Sequence, residues 1–352
     1  MRGVGDMTLQ RFFFVFLSFL LATEPLLYAT DTGVSGVDFE YYHPATDSYG
    51  IFGVNSPRTM KAGKFYLNLS QSITRGKFLR VTTGGTTINM VDRIDTSDFL
   101  ASLAINDFLT VGAEVPVHIY AKEANLTSLT DFTTQGIGDV VGFMKFRVLE
   151  DAHWWPGIAL LYTNSFPTGD ENRFFGTSHI VPGVQLAIGK ETKYFTFIAN
   201  AGALFPQGKT VLGAMFNDKV TYGAGIKVPF GFLDPHLFVM TEVHGFFETD
   251  KVQILTAPVE FTIGLRKEFC NGLALSAGGG GGWNDAVGNP TVRGIGAISF
   301  TSAGDRCGKA EKEEIKVVMK EAEEEKVEVN ESLAQQIHTT VYFGFGSVRP
   351  TG

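Results

Sequence analysis

From about residue 64 to residue 300 the hydrophobic positions recur with a period of two. Val259, Phe261, Ile263 and Leu265 interleave with Glu260, Thr262, Gly264 and Arg266, so an extended chain carries one apolar and one polar face. Val111, Ala113, Val115, Val117 and Ile119 alternate in the same way with Thr110, Gly112, Glu114, Pro116 and His118. Val140, Gly142, Met144, Phe146 and Val148 alternate with Val141, Phe143, Lys145 and Arg147, and Val239, Thr241 and Val243 with Met240, Glu242 and His244. The turn signals between such runs predict about twelve strands, at 63–74, 96–105, 108–120, 136–149, 157–167, 178–189, 193–204, 219–230, 235–247, 256–268, 272–282 and 291–301. The stretch 75–95 is expected to be a long connection, or a hairpin that adds to the count.

The connections alternate in length. Short ones fall at 106–107, 151–153, 190–192, 232–234 and 269–272, and long polar ones at 75–95, 121–135, 168–177, 205–218, 248–255 and 283–290. An even number of antiparallel strands with short turns at one end and long loops at the other is the pattern of an outer-membrane barrel. The chain is therefore expected to be all-β, a transmembrane antiparallel up-and-down β-barrel of about twelve strands over 63–301, followed by a charged, partly helical linker. The polar faces are rich in Gly, Ser and Thr with scattered charges, which suits a lumen better than bulk water.

Residues 1–29 read as a secretory signal: Arg2 and Arg11 precede the apolar run Phe12–Ala22, which is too short to span a bilayer. Residues 30–62 are set down as an N-terminal periplasmic segment, and its part from Asp38 to Lys61, with Tyr41, Tyr42, Tyr49 and Phe52, is long enough to enter the lumen from below. The outer membrane is the expected location, with the C-terminal end in the periplasm and with membrane lipid and the barrel-assembly machinery as partners. The last strand ends on Phe300, as assembly signals of such barrels do.

Composition sharpens this picture. The 352 residues carry a net charge of −8, which argues against a nucleic-acid partner. Between residues 308 and 336 nine Glu stand against five Lys, so half of that charge belongs to a solvated linker at 302–336. With 31 Phe and 41 Gly, the rest fits strands that meet lipid on one face and stay small on the other.

Beyond the linker, Val341–Ser347 (VYFGFGS) followed by Pro350 resembles the opening strand and turn of the OmpA-like peptidoglycan-binding domain. Barrel, acidic linker and this strand, in that order, resemble OmpA-family proteins. The resemblance implies an envelope-structural role with a narrow small-solute pore, and a peptidoglycan contact only where the missing remainder of the domain exists. Residues 337–352 are read as a truncated start of that domain, so no wall-contacting residue is carried over.

The candidate chemistry is sparse. Lumen-facing charges expected from the alternation are Glu114, Asp139, Lys145, Arg147, Lys227, Glu242, Glu260, Arg266 and Arg293, of mixed sign, either paired into networks that plug the barrel or lining a narrow pore. His118, His179, His236 and His244 fall in predicted strands, and no local Ser/His/Asn grouping marks a catalytic one among them. No catalytic, metal-ligating or cofactor-binding residue is assigned, and no HExxH, HxxxH or CxxC spacing occurs. The run Gly278–Gly282 lacks the context of a phosphate loop and reads as small residues easing curvature. Cys270 and Cys307 both fall on the short-turn side, as a disulfide or as two free thiols. The expected function is thus a non-enzymatic envelope barrel with a narrow pore. A barrel lipase and a dedicated solute channel without wall binding are the alternatives.

Overall fold

The computed structural model describes residues 41–302 apart from 84–85, 125–130, 171–174, 207–208, 212–213, 217, 232–233, 250–256, 285 and 287. The signal segment, the linker and the terminal strand named above lie outside the described residues. What is described is a closed antiparallel barrel of twelve strands, formed as each strand pairs with its chain neighbour.

The first three strands are long: β1 (Phe65–Thr83), β2 (Thr86–Asn106) and β3 (Leu109–Ala124). The stretch 75–95 is accordingly not a loop but the continuation of the β1–β2 hairpin, paired from Leu79↔Val91 to Thr83↔Thr86, beyond the point where β1 loses its other neighbour at Gly76. The fourth barrel strand is broken into β4 (Asp131–Ile137) and β5 (Val140–Leu149), both paired with β3. The break at 138–139 lies opposite Pro116, which has no N–H for the ladder, and the Pro116 carbonyl accepts the Gly138 N–H instead at 2.8 Å.

The remaining strands lie close to their expected bounds: β6 (Gly157–Phe166), β7 (Val181–Glu191), β8 (Thr196–Leu204), β11 (Lys219–Pro229), β12 (Leu237–Glu248), β13 (Val259–Glu268), β14 (Leu273–Gly282) and β15 (Pro290–Thr301). A small hairpin, β9 (Lys209–Val211) with β10 (Ala214–Phe216), occupies the long connection after β8. The barrel closes between β1 and β15, in register from Tyr66↔Thr301 to Arg75↔Val292.

The period of two becomes an inverted protein. Leu67, Leu69, Phe99, Leu186, Ile263, Leu265 and Ile298 are exposed on the outside, while Ser70, Thr74, Thr96, Asp98 and Thr262 are buried inside. An apolar belt of this extent is what a barrel wall in contact with lipid requires. At the short-turn end Trp154, Trp155 and Tyr194 are exposed, and at the long-loop end Trp283 is 80% exposed. Their amphipathic rings suit the two interfaces of a bilayer.

Candidate functional site

Twelve strands enclose more room than their own side chains fill. In this barrel the extra space is taken by the segment 41–62, which runs through the lumen. Its lower end is tied to the turn between β2 and β3: Asp107 accepts the Ala62 N–H at 2.8 Å, and its carbonyl accepts the Thr59 hydroxyl at 2.5 Å. The Ala62 N–H, with help from Lys61, holds the Asp107 carboxyl below the usual carboxylate range. Gly63 takes a positive φ of 73°, which lets the chain turn from the segment into β1.

Above this base, wall side chains grip the backbone of the segment. The Glu242 carboxylate accepts the N–H groups of Gly53 (2.9 Å) and Val54 (3.2 Å). Arg266 donates to the carbonyls of Gly50 (2.7 Å) and Ser48 (3.3 Å), and to Ser276 Oγ at 3.0 Å. Asn200 accepts the Asn55 N–H at 2.7 Å and returns a bond to the Asn55 carbonyl at 2.8 Å. Lys145 donates to the Ser56 carbonyl at 2.9 Å and pairs with Asp47, and both charged side chains are almost wholly buried. His43 meets Glu114 at 2.9 Å near the top.

Apolar contacts complete the fit. Tyr42, Ile51, Phe52 and Val54 form one cluster with Ile198, Met240 and Ile295 of the wall, and Met60 packs with Tyr66, Leu100, Phe143 and Leu161. The wall makes room by being glycine where the segment is bulky. A Cβ on Gly278 would lie 2.6 Å from Phe52 Cζ, one on Gly225 2.7 Å from Ile51 Cδ1, one on Gly189 2.9 Å from Pro57 Cδ and one on Gly223 3.2 Å from Val54 Cγ2. Part of the glycine run at 278–282 therefore has a second use besides easing curvature: it receives an aromatic ring.

The nine charged residues expected in the lumen fall into groups. Glu114, Lys145, Glu242 and Arg266 touch the segment. Arg293 and Glu260 pair with each other through Nε to Oε1 (2.6 Å) and Nη2 to Oε2 (3.2 Å), while Arg293 Nη1 donates to Ser72 (2.7 Å) and Thr74 (3.1 Å) across the closing seam. Asp139, at the break between β4 and β5, accepts the N–H groups of Gly169 (2.9 Å) and Thr177 (2.7 Å) and so ties down both ends of the connection between β6 and β7. Lys227 lies 3.7 Å from Glu268, and Arg147 sits at the short-turn rim, 3.2 Å from Glu150.

Of the four histidines, His118 is inside β3, bonded to Thr96 at 3.0 Å and stacked on Phe175, and His244 in β12 lies between Glu242 (3.5 Å) and Glu260 (3.7 Å). His179 and His236 fall just before β7 and β12 rather than within them. Ser178 Oγ meets His179 Nδ1 at 2.8 Å, a contact between chain neighbours, and the nearby Asp139 carboxylate is taken by Thr177. Cys270 lies in the turn after β13, with no free cysteine among the described residues, and Cys307 lies outside them. Asp47, Asn55 and Asn200 are partners that no sequence pattern marks; the inward glycines were the available signal for the segment.

Beside the segment, along Tyr41 to Asn55, a cavity of about 300 Å³ remains, at the low end of the range for ligand pockets. Tyr41 and Tyr42 of the segment form part of its lining, together with Phe143 and Leu161 on one side of the barrel and Glu260 and His244 on the other.

No family model matches the chain, and no curated protein matches it. Solved structures do. An outer-membrane channel from Pseudomonas putida F1 superposes with a TM-score of 0.53 at 12% identity, covering 69% of this chain and 97% of that one. The NanC porin gives a TM-score of 0.45 at 8% identity, over 67% of this chain and 98% of its own. At these identities the likeness is one of fold: the chain has the barrel fold of outer-membrane channels.

Proposed function

We propose that the protein is an outer-membrane channel for small solutes whose conductance is set by its own segment 41–62. The observation that carries this reading is that the lumen is occupied by a segment anchored through discrete polar contacts, with a cavity left beside it. A wall that needed only rigidity could be filled by its own side chains, as smaller barrels are. In this reading the short turns face the periplasm and the long connections face outward, and membrane lipid contacts the apolar belt. The test is single-channel recording of the refolded chain beside a variant lacking residues 41–60. Small or infrequent currents from the intact chain and a several-fold larger conductance from the deletion are expected. Silence from both would leave a structural barrel.

A second reading, favoured by Val341–Ser347 and the acidic linker before it, adds an OmpA-like tether to the cell wall. It predicts that the full-length natural chain sediments with purified peptidoglycan, and a chain ending before residue 337 does not. Absence of co-sedimentation would remove the tether and leave the channel reading untouched.

A further inference from the structure

We infer that the cavity beside the segment is a binding site for a small amphipathic molecule with a ring-sized apolar body and a positively charged end. The inference rests on the channel reading and names its solute class. At about 300 Å³ the cavity is roughly twice the ~150 Å³ apolar cavity that suffices for one benzene ring. It therefore accommodates one ring with a short substituent.

The walls differ in chemistry. Inward-facing positions of a water-filled barrel are expected to be polar, yet Val141 and Phe143 on β5, Leu161 on β6 and Leu204 on β8 line the cavity from one contiguous stretch of wall. Such a surface favours an apolar body over water.

The polar lining is unbalanced in sign. Glu114, Asp139 and Glu260 contribute three carboxylates, and Lys219 is the lysine among the lining residues. Arg293 pairs with Glu260, and the ammonium of Lys219 faces the rings of Tyr41 (4.7 Å) and Phe246 (4.6 Å). Glu114 and Asp139 are buried carboxyl groups beside the apolar wall, 3% and 2% exposed, the first bonded to His43 and the second to loop N–H groups. Asn289 also lines the cavity, with its side-chain amide donating to the Val259 carbonyl at 3.2 Å and the Asn284 carbonyl at 2.7 Å. Carboxylates beside an apolar wall select a donor-bearing cation and disfavour an anion.

The experiment is calorimetric titration of the refolded full chain in micelles with benzylamine, benzyl alcohol and benzoate, which share one ring and differ in charge, against protein-free micelles. Saturable binding at least tenfold tighter for benzylamine than for benzoate is expected, with benzyl alcohol between. Glu114→Gln is expected to cut the benzylamine to benzoate ratio about tenfold, and Val141→Ser to weaken all three ligands alike. Heat-modifiable gel migration checks that each variant is folded. Equal or tighter binding of benzoate, a neutral ligand that matches the amine, or no saturable binding of any probe to the folded wild type would overturn the inference. Conductance is measured separately, so a barrel that conducts but binds no probe refutes the site and leaves the channel intact.

Discussion

Lys145 and Asp47 make the most informative pair to break. Lys145 projects inward from β5, and its ammonium bonds the Asp47 carboxylate and the Ser56 carbonyl of the segment. The two residues are 0% and 1% exposed, so solvent does not replace either partner. Lys145→Met keeps the length of the side chain and removes its charge, leaving a buried carboxylate. Loss of one partner of such a pair costs about 3–5 kcal/mol. The rest of the anchorage is larger: the bonds from Glu242 to two N–H groups are charge-assisted at roughly 1.5–3 kcal/mol each, and burying Ile51, Phe52 and Val54 adds about 1.5–3 kcal/mol apiece. The segment is thus expected to stay seated in most molecules, while the displaced population rises by a factor of roughly 10² to 10⁴. Single-channel recording reads this as a rise in large-conductance events from rare to frequent, and limited proteolysis as faster cleavage between residues 41 and 60. The double variant Lys145→Met with Asp47→Asn removes both charges and is expected to return most of the wild-type behaviour. A single variant that conducts like wild type would refute the role given to the pair. A double variant as leaky as the single one would refute the electrostatic reasoning.

Other perturbations test neighbouring parts. Gly278→Ala places a methyl group 2.6 Å from Phe52 Cζ and is expected to increase conductance, with Phe52→Ala in the same chain reversing it; failure of that rescue would point to strain in the wall instead. Arg293→Met leaves Glu260 buried without its cation at the β15–β1 closure, and the temperature at which the heat-modifiable gel band shifts is expected to fall, consistent with a loss of about 3–5 kcal/mol. Asp107 has a folded-state acidity held below its ordinary value of 3.8, so its contribution to seating the segment base is complete above that value and is lost as pH falls below it toward the depressed value. Protease protection of the segment base should follow that course in wild type and show no such step in Asp107→Asn. We further expect Cys270 and Cys307 to be joined, so that a thiol reagent labels neither before reduction and both afterwards.

The fold was legible because lipid makes a stringent demand. A wall residue in a barrel is either toward lipid or toward the lumen, and the alternation of Ile263, Leu265, Glu260 and Arg266 records that choice directly. Strand ends were less legible where alternation carries on beyond the membrane, as in the β1–β2 hairpin, which needs no lipid to persist. The break at 138–139 was hidden because the cause, Pro116, lies on the neighbouring strand rather than in the broken one. The lumen charges were legible as a set, since a period of two places them all inside. Their partners were not, because pairing across a lumen depends on height and on rotation around the barrel, and sequence separation encodes neither. Lys145 and Asp47 are 98 residues apart, and Glu242 and Gly53 are 189 apart.

The segment itself was hard to read for a further reason. The wall holds it mainly by its backbone: Glu242 takes two N–H groups, Arg266 two carbonyls, Lys145 and Ser102 one carbonyl each, and Asn200 both groups of Asn55. Contacts of this kind constrain the path of the chain far more than the identity of its side chains, so residues 41–62 carry little pattern of their own. The complementary record is in the wall, where Gly189, Gly223, Gly225 and Gly278 stand at inward positions of three different strands, each opposite a bulky residue of the segment. Glycine weakens a strand, and its repeated use at the same inner surface requires a compensating gain. An occupant pressed close to the wall supplies one. Anchors that are polar and discrete, set beside glycines that leave room for the bulky side chains of the segment, hold it in place. That is the combination a channel needs if its occupant is to be displaced without unfolding the wall.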